Sequence, residues 1–323
     1  MPLVHLSTIL IQPIRMKAFD LERSFISPTE VVRFDGFAGV EVWMKREDLL
    51  HPFISGNKLR KLKYNLLQAQ KEKHTCLLSF GGAYSNHIAA TAYAAKAFGM
   101  ASIGVIRGEE LGGKIQGNPT LSFAQGHGMR FKFVSRAAYR EKESQGFIAE
   151  LRQEFGAFYL IPEGGTNALA VKGCEEILSS EDRKFDYICT AVGTGGTISG
   201  LINSSTAQQC VLGFPALKGD FLTDEIKKFA RKEHWRLIND YHFGGYAKIN
   251  QELIAFINRF YKQSGIALDP IYTAKMCYGI ADLIQKGSIA KGSKLLLIHT
   301  GGLQGIAGMN QRLAQQQLPI IHV

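Results

Sequence analysis

From residue 75 onward, short apolar runs alternate with stretches whose apolar residues recur every three to four positions. The apolar runs predict strands over residues 75–80, 101–107, 130–135, 158–161, 186–192, 209–214 and 294–299. The stretches between them predict helices over 87–98, 118–125, 138–155, 168–179 and 197–204. Gly99 stops the first of these, and Pro119 suits the first turn of the second. Strands that are apolar almost throughout, set between helices, belong to parallel sheets covered on both faces. With 323 residues the expected fold class is α/β, as two doubly wound domains with parallel sheets.

Composition changes this picture little. Apolar residues make up 46% and charged residues 20%, an ordinary globular balance. The net charge of +10 is spread along the chain, with its densest runs at 57–63 and 227–236. A basic helix face is ordinarily solvated, and neither run has the interleaved aromatics of a nucleic-acid surface, so no nucleic acid is expected as a partner. The five cysteines form no CxxC and no Cys/His cluster, so no metal site is expected. Cys76 and Cys189 lie in apolar strand runs, as reduced buried thiols would. Neither a leader pattern nor a membrane-spanning run is found, and a cytoplasmic protein without a membrane partner is expected.

The chemistry sits in three glycine-rich turns, each placed where a helix should begin: Ser55-Gly56-Asn57-Lys58, Phe80 to His87, and Val192 to Thr197. A helix N-terminus offers free N–H groups and partial positive charge, and so attracts anions. Lys58 falls in the first turn of a helix whose buried face is Leu59, Leu62 and Leu66. A cation there is disfavoured by roughly 0.3–1 kcal/mol. That field favours the neutral amine a Schiff-base lysine needs. In Val192-Gly193-Thr194-Gly195-Gly196-Thr197 the glycines let backbone amides approach an oxyanion, and the threonines add hydroxyl donors. No Gly-Lys-Ser/Thr follows, and Ile198 stands where a dinucleotide fingerprint needs its third glycine, so a monophosphate is expected. In the Phe80–His87 turn, Ser85 or Asn86 can cap the helix or help receive a carboxylate.

Taken together these segments resemble one family. Lys45-Arg46-Glu47-Asp48 with Gly56-Asn57-Lys58-Leu59-Arg60-Lys61-Leu62 is similar to the lysine segment of the pyridoxal-phosphate enzymes that include D-cysteine desulfhydrases and 1-aminocyclopropane-1-carboxylate (ACC) deaminases. The 79–87 turn, Pro162-Glu163-Gly164-Gly165-Thr166-Asn167, the 193–197 turn, Leu268 to Lys275, and His299-Thr300-Gly301-Gly302 match in the same order. The resemblance implies a tryptophan-synthase-β-like architecture (fold type II), pyridoxal 5'-phosphate as cofactor, a small amino acid as substrate and a homodimer. A smaller domain over 48–160 would be inserted into a larger one formed by 1–47 and 161–323. It further implies that Lys58 carries the cofactor as a Schiff base, that Gly193, Thr194, Gly195, Gly196 and Thr197 hold its phosphate, that Asn86 bonds its phenolic oxygen, and that Thr300 lines its ring. Ser85, with amides near Asn86 and His87, would receive the substrate carboxylate, and Tyr272 and Tyr246 match two active-site tyrosines.

Position 273 chooses between the activities the resemblance implies. ACC deaminases have glutamate beside the pyridine nitrogen, whereas this chain has Thr273. A hydroxyl cannot supply that charge, and β-elimination of thiolate needs a weaker electron sink than opening a cyclopropane. D-Cysteine α,β-elimination to pyruvate, ammonia and sulfide is therefore expected. The alternatives are ACC deamination to 2-oxobutyrate and a related D-amino-acid lyase or deaminase. Tyr84 departs from the glutamine usual in the family and bears on the substrate pocket. His242 and His299 read as polar strand ends rather than catalysts.

Overall fold

A computed structural model describes residues 20–323. Residues 1–19 of the larger expected domain, and with them the stretch searched for a leader pattern, lie outside the described residues. Two strands precede the region of clear alternation: β1 (Thr29–Val31) and β2 (Glu41–Lys45), followed by α1 (Asn57–Lys71). Then come β3 (Cys76–Gly81), α2 (Asn86–Ala97), β4 (Ala101–Arg107), α3 (Pro119–Gly126), β5 (Met129–Val134), α4 (Arg136–Arg140), α5 (Gln145–Phe155) and β6 (Tyr159–Ile161). The chain continues through α6 (Ala168–Glu175), β7 (Tyr187–Val192), α7 (Gly196–Ser204), β8 (Cys210–Pro215), α8 (Phe221–Lys227) and β9 (Trp235–Leu237). It closes with α9 (Gln251–Ser264), α10 (Thr273–Gln285), β10 (Lys294–Ile298) and α11 (Gly305–Gln315).

The strands form a six-stranded sheet, ordered β1-β2-β10-β7-β8-β9, and a four-stranded sheet, ordered β5-β4-β3-β6. All neighbours are parallel except β1 and β2, so the expectation of parallel sheets needs amending at that edge. The helix expected over 138–155 is two helices. Ser135 caps α4 by accepting from the Ala138 N–H, and Ser144 caps α5 by accepting from the Phe147 N–H at 3.2 Å. A serine that offers its hydroxyl to the backbone starts a helix more readily than it continues one.

Burial follows strand alternation. On β10, Leu295 and Leu297 pack with Met44 against Ile257 and Phe260 of α9 and Met276 and Ile280 of α10. Leu296 and Ile298 face the other way, onto Ile198, Leu201 and Ile202 of α7. In the smaller sheet Leu77 joins Leu59, Leu62 and Leu66 of α1, while Leu78 and Val105 pack on Leu151 of α5. The polar side of α1 turns toward α6, where Gly173 leaves no Cβ to strike the Arg60 carbonyl. One helix thus joins the core of the four-stranded sheet to the helices covering the six-stranded one.

Candidate active site

A cavity of about 330 Å³ opens where the turns after β3, β7 and β10 meet the start of α1. The C-terminal ends of parallel strands are the usual ligand position in open α/β sheets. Lys58, Ser85, Asn86, His87, Gly193, Thr194, Gly195, Thr197, Tyr246, Tyr272 and Thr300 all line it, so most residues singled out from the sequence converge. Gly196, Thr273 and Tyr84 are not among the lining residues.

Lys58 reaches the cavity because α1 starts abruptly. Gly56 has φ +65°, and a Cβ on it would collide with the Thr300 carbonyl. That carbonyl instead accepts from the Asn57 N–H at 3.3 Å, so the α1 turn interlocks with the 300–302 turn. His299 braces the interlock: its Nδ1 accepts from the Gly301 N–H at 3.2 Å and its Nε2 donates to the Ala267 carbonyl at 2.7 Å. Burial and the neighbouring Lys61 lower the Lys58 amine to about 7. Half of such amines are neutral at neutral pH, as a nucleophilic lysine requires.

The basic run at 57–63 is not the solvated face expected of it. Arg60, Lys61 and Lys63 are all buried. Arg60 makes a bidentate pair with Glu47, at 2.8 and 2.9 Å, and Lys63 pairs with Glu176 at 2.7 Å. Lys61 has no carboxylate partner among the described residues. Its Nζ donates to the Gly164 carbonyl and Thr166 Oγ1 at 3.0 Å and to Thr194 Oγ1 at 3.3 Å. Burial lowers it to about 8.

Lys61 stands over the 193–197 turn. Gly195, with φ +84°, turns the chain into α7 and leaves the first N–H groups of that helix facing the cavity. A Cβ on Gly196 would lie 2.9 Å from Thr166 Oγ1 and 3.2 Å from Lys61 Nζ, so the bare backbone opens this corner to polar groups. Gly196 contributes through that backbone, as the first residue of α7. Thr194 Oγ1 shares a 2.6 Å hydrogen bond with Thr166, and Thr197 Oγ1 accepts from Asn57 at 2.8 Å. Free amides, hydroxyls and a buried ammonium without an acidic partner are the donor set of a phosphate monoester site.

At the 80–87 turn Ser85 caps α2, its Oγ accepting from the Ile88 N–H at 3.3 Å, and keeps its own proton for a ligand. Asn86 accepts from Gln304 at 3.0 Å. The His87 ring is buried behind the turn. Ser79 Oγ donates to the Ile161 carbonyl at 2.8 Å, so His87 Nε2 must donate to Ser79 at 2.8 Å. That leaves Nδ1 an acceptor, and it has no partner among the described residues. Burial, then the charges of Lys58 and Lys61, hold His87 well below the usual histidine range. It is a neutral ring.

Tyr246 and Tyr272 meet edge to face, with ring centroids 6.2 Å apart. Burial, before any other cause, raises both phenols. Buried Lys275 holds the turn that carries Tyr246, donating to the His242 and Gly245 carbonyls, each at 2.8 Å. His242 stabilises the same turn, its Nδ1 accepting from the Gly244 N–H at 2.9 Å.

Two expected site residues lie elsewhere. Thr273 is fully buried at the start of α10, and its hydroxyl donates to Asp269 Oδ1 at 2.7 Å. The same carboxylate also takes the N–H groups of residues 271, 272 and 273, so it caps α10 and engages the Thr273 proton. Tyr84 points outward, 46% exposed, and lies over Gly308 of α11. An exposed ring at a turn tip gains contact by lying on a helix, which takes it away from the pocket.

Three lining residues were given no role from the sequence: Lys61 and Glu163, which lie inside matching segments, and Arg107, at the end of β4. Only the folded arrangement brings them together. The buried low-pKa lysine, the phosphate-type corner and the carboxylate-type turn around one cavity suit pyridoxal phosphate.

Comparison with known proteins agrees. Residues 23–301 match the family described as pyridoxal-phosphate dependent enzymes. A candidate ACC deaminase of Pyrococcus horikoshii is 34% identical over 284 residues, 83% of this chain and 86% of that protein. A bifunctional mitochondrial D-cysteine desulfhydrase/ACC deaminase of Arabidopsis thaliana is 30% identical, over 83% of this chain and 74% of that protein. The crystal structure of an ACC deaminase homologue superposes with a TM-score of 0.78 at 30% identity, covering 90% of this chain and 94% of that one. With this match spanning fold and sequence, the chain belongs to the pyridoxal-phosphate-dependent enzymes of fold type II, in the family of the ACC deaminases and D-cysteine desulfhydrases.

Proposed function

We propose that this enzyme eliminates the β-substituent of D-cysteine, giving pyruvate, ammonia and sulfide. The observation that carries the chemistry is Lys58, an amine near neutrality set between an anion corner and a helix N-terminus in one cavity. Bound pyridoxal phosphate supplies an electron sink for negative charge at the substrate Cα. Lys58 would bond it covalently, while the amides of 193–197 and Lys61 would hold its phosphate and Asn86 and Thr300 would border its ring. Ser85 and the first amides of α2 would bind the substrate carboxylate. Lys58 Nζ, deprotonated above about pH 7, would take the Cα proton. The phenols of Tyr246 and Tyr272 are held protonated by burial, so they serve as donors and not as bases. Among the lining residues Glu163 is the one carboxylate, and at the position where the resemblance sets a glutamate this chain has Thr273, outside the lining with its hydroxyl donating to Asp269. This favours elimination of a good leaving group over opening of a cyclopropane ring.

ACC deamination is the second reading, supported by the names of the Pyrococcus relative and the structural neighbour. Incubation of the cofactor-loaded protein with D-cysteine, L-cysteine and ACC, with the product identified, separates the two. Pyruvate with sulfide supports elimination, whereas 2-oxobutyrate from ACC alone would replace it. We also propose that residues 48–160 form the smaller domain, inserted between 1–47 and 161–323, in a cytoplasmic homodimer. The four-stranded sheet, drawn from residues 76–161, supports that division.

A further inference from the structure

Arg107 ends β4 on the cavity wall, and its charge has no carboxylate partner among the described residues. Its guanidinium lies over the Tyr139 ring, 5.7 Å from the centroid, and one of its terminal nitrogens lies 3.8 Å from where a Cβ on Gly82 would stand. Glu163, the carboxylate nearest at hand in the lining, is already engaged. One oxygen accepts from the Tyr139 hydroxyl at 2.8 Å and the other faces Lys142 at 3.4 Å. Lys142 lies over the same Tyr139 ring at 5.2 Å. Arg107, Lys142 and Glu163 therefore leave one unmatched positive charge beside the cavity. Lys61 is occupied with the phosphate-type corner, and Lys58 is near neutrality, so neither answers for a negative charge on this side.

From this arrangement we infer that Arg107 forms a subsite for the substrate's side chain, and that the site prefers an amino acid whose β-substituent carries negative charge. A carboxylate, a sulfinate or the thiolate form of cysteine belongs to this class. The inference rests on the proposed function, because it assumes that the amino acid is held between Lys58 and the 82–87 turn. A guanidinium pairs such groups through two parallel N–H donors.

The test titrates the cofactor-loaded protein with aspartate and asparagine, in both enantiomers, and follows the shift of the cofactor's visible absorption. The two ligands have nearly the same shape and differ in charge. In parallel, borohydride reduction and mass spectrometry of the Lys58 peptide report the covalent attachment. Aspartate should bind about tenfold or more tighter than asparagine of the same hand, the value of one charge-assisted bond. In Arg107→Met that ratio should fall to about twofold or less, and in Arg107→Lys it should stay between the two. Equal binding, no binding, or a ratio unchanged in Arg107→Met overturns the subsite while Lys58 carries its adduct. Absence of the adduct overturns the proposed function, and the subsite with it.

Discussion

An amine that titrates near 7 instead of 10.5 is a nucleophile at neutral pH, and Lys58 owes that to burial first and to Lys61 second. The rate at which the apoprotein takes up pyridoxal phosphate should therefore rise through an apparent pKa of about 7, read from the growth of its visible band. A profile still rising at pH 10 would remove this role. Between about pH 7 and 10.5 the unfolded chain holds a proton on this lysine that the folded apoprotein lacks, so this group's contribution to stability rises with pH across that window. Lys61 gives a second prediction with two opposite parts. Charged, it is disfavoured by its own burial, so Lys61→Met should leave apoprotein stability unchanged or raised. Cofactor affinity should nevertheless fall about 10- to 100-fold, the value of a charge-assisted phosphate bond. Equilibrium dialysis and thermal melts of the apoprotein separate the two effects.

Among the elements, α1 does the most, because its apolar side lies in one core and its polar side faces another set of helices. Gly173 is what lets α6 approach it. Gly173→Ala should cost about 3 kcal/mol or more, since the new Cβ meets backbone and not a flexible side chain. Urea unfolding measures this, and a loss below about 1 kcal/mol would mean that α6 slides freely. β3, β4 and β7 were legible because nearly every position in them is buried. β1 and β9 were not, being three residues long with no fully buried position. Lys58 and the glycine turns stand out because helix starts and positive φ values restrict residue type. Lys61 was hidden because the cue for a buried cation is its neighbours, Gly164, Thr166 and Thr194, which are more than a hundred residues away. Thr273 entered through the family resemblance alone, and its commitment to Asp269 was not legible.

On the scale of the whole molecule, the buried Arg60–Glu47 pair fastens the end of β2 to α1. Glu47→Ala would leave a buried guanidinium uncompensated and should cost about 3–5 kcal/mol in urea unfolding. A cost below about 1 kcal/mol would mean that water reaches Arg60. The contrast lies with the stretch immediately after Arg107. Residues Glu109–Gly117 form a 3-10 segment with no buried member. A cavity wall that ends in such a segment can acquire new side chains at its exposed positions, so long as Leu111 and Ile115 keep their packing on Ile88, Ile106 and Leu121. Substrate preference in this lineage can therefore drift at the mouth of the pocket while the lysine, the anion corner and their supporting helices stay fixed. A library confined to 107–117, with Leu111 and Ile115 held constant, is the economical place to change what the enzyme accepts.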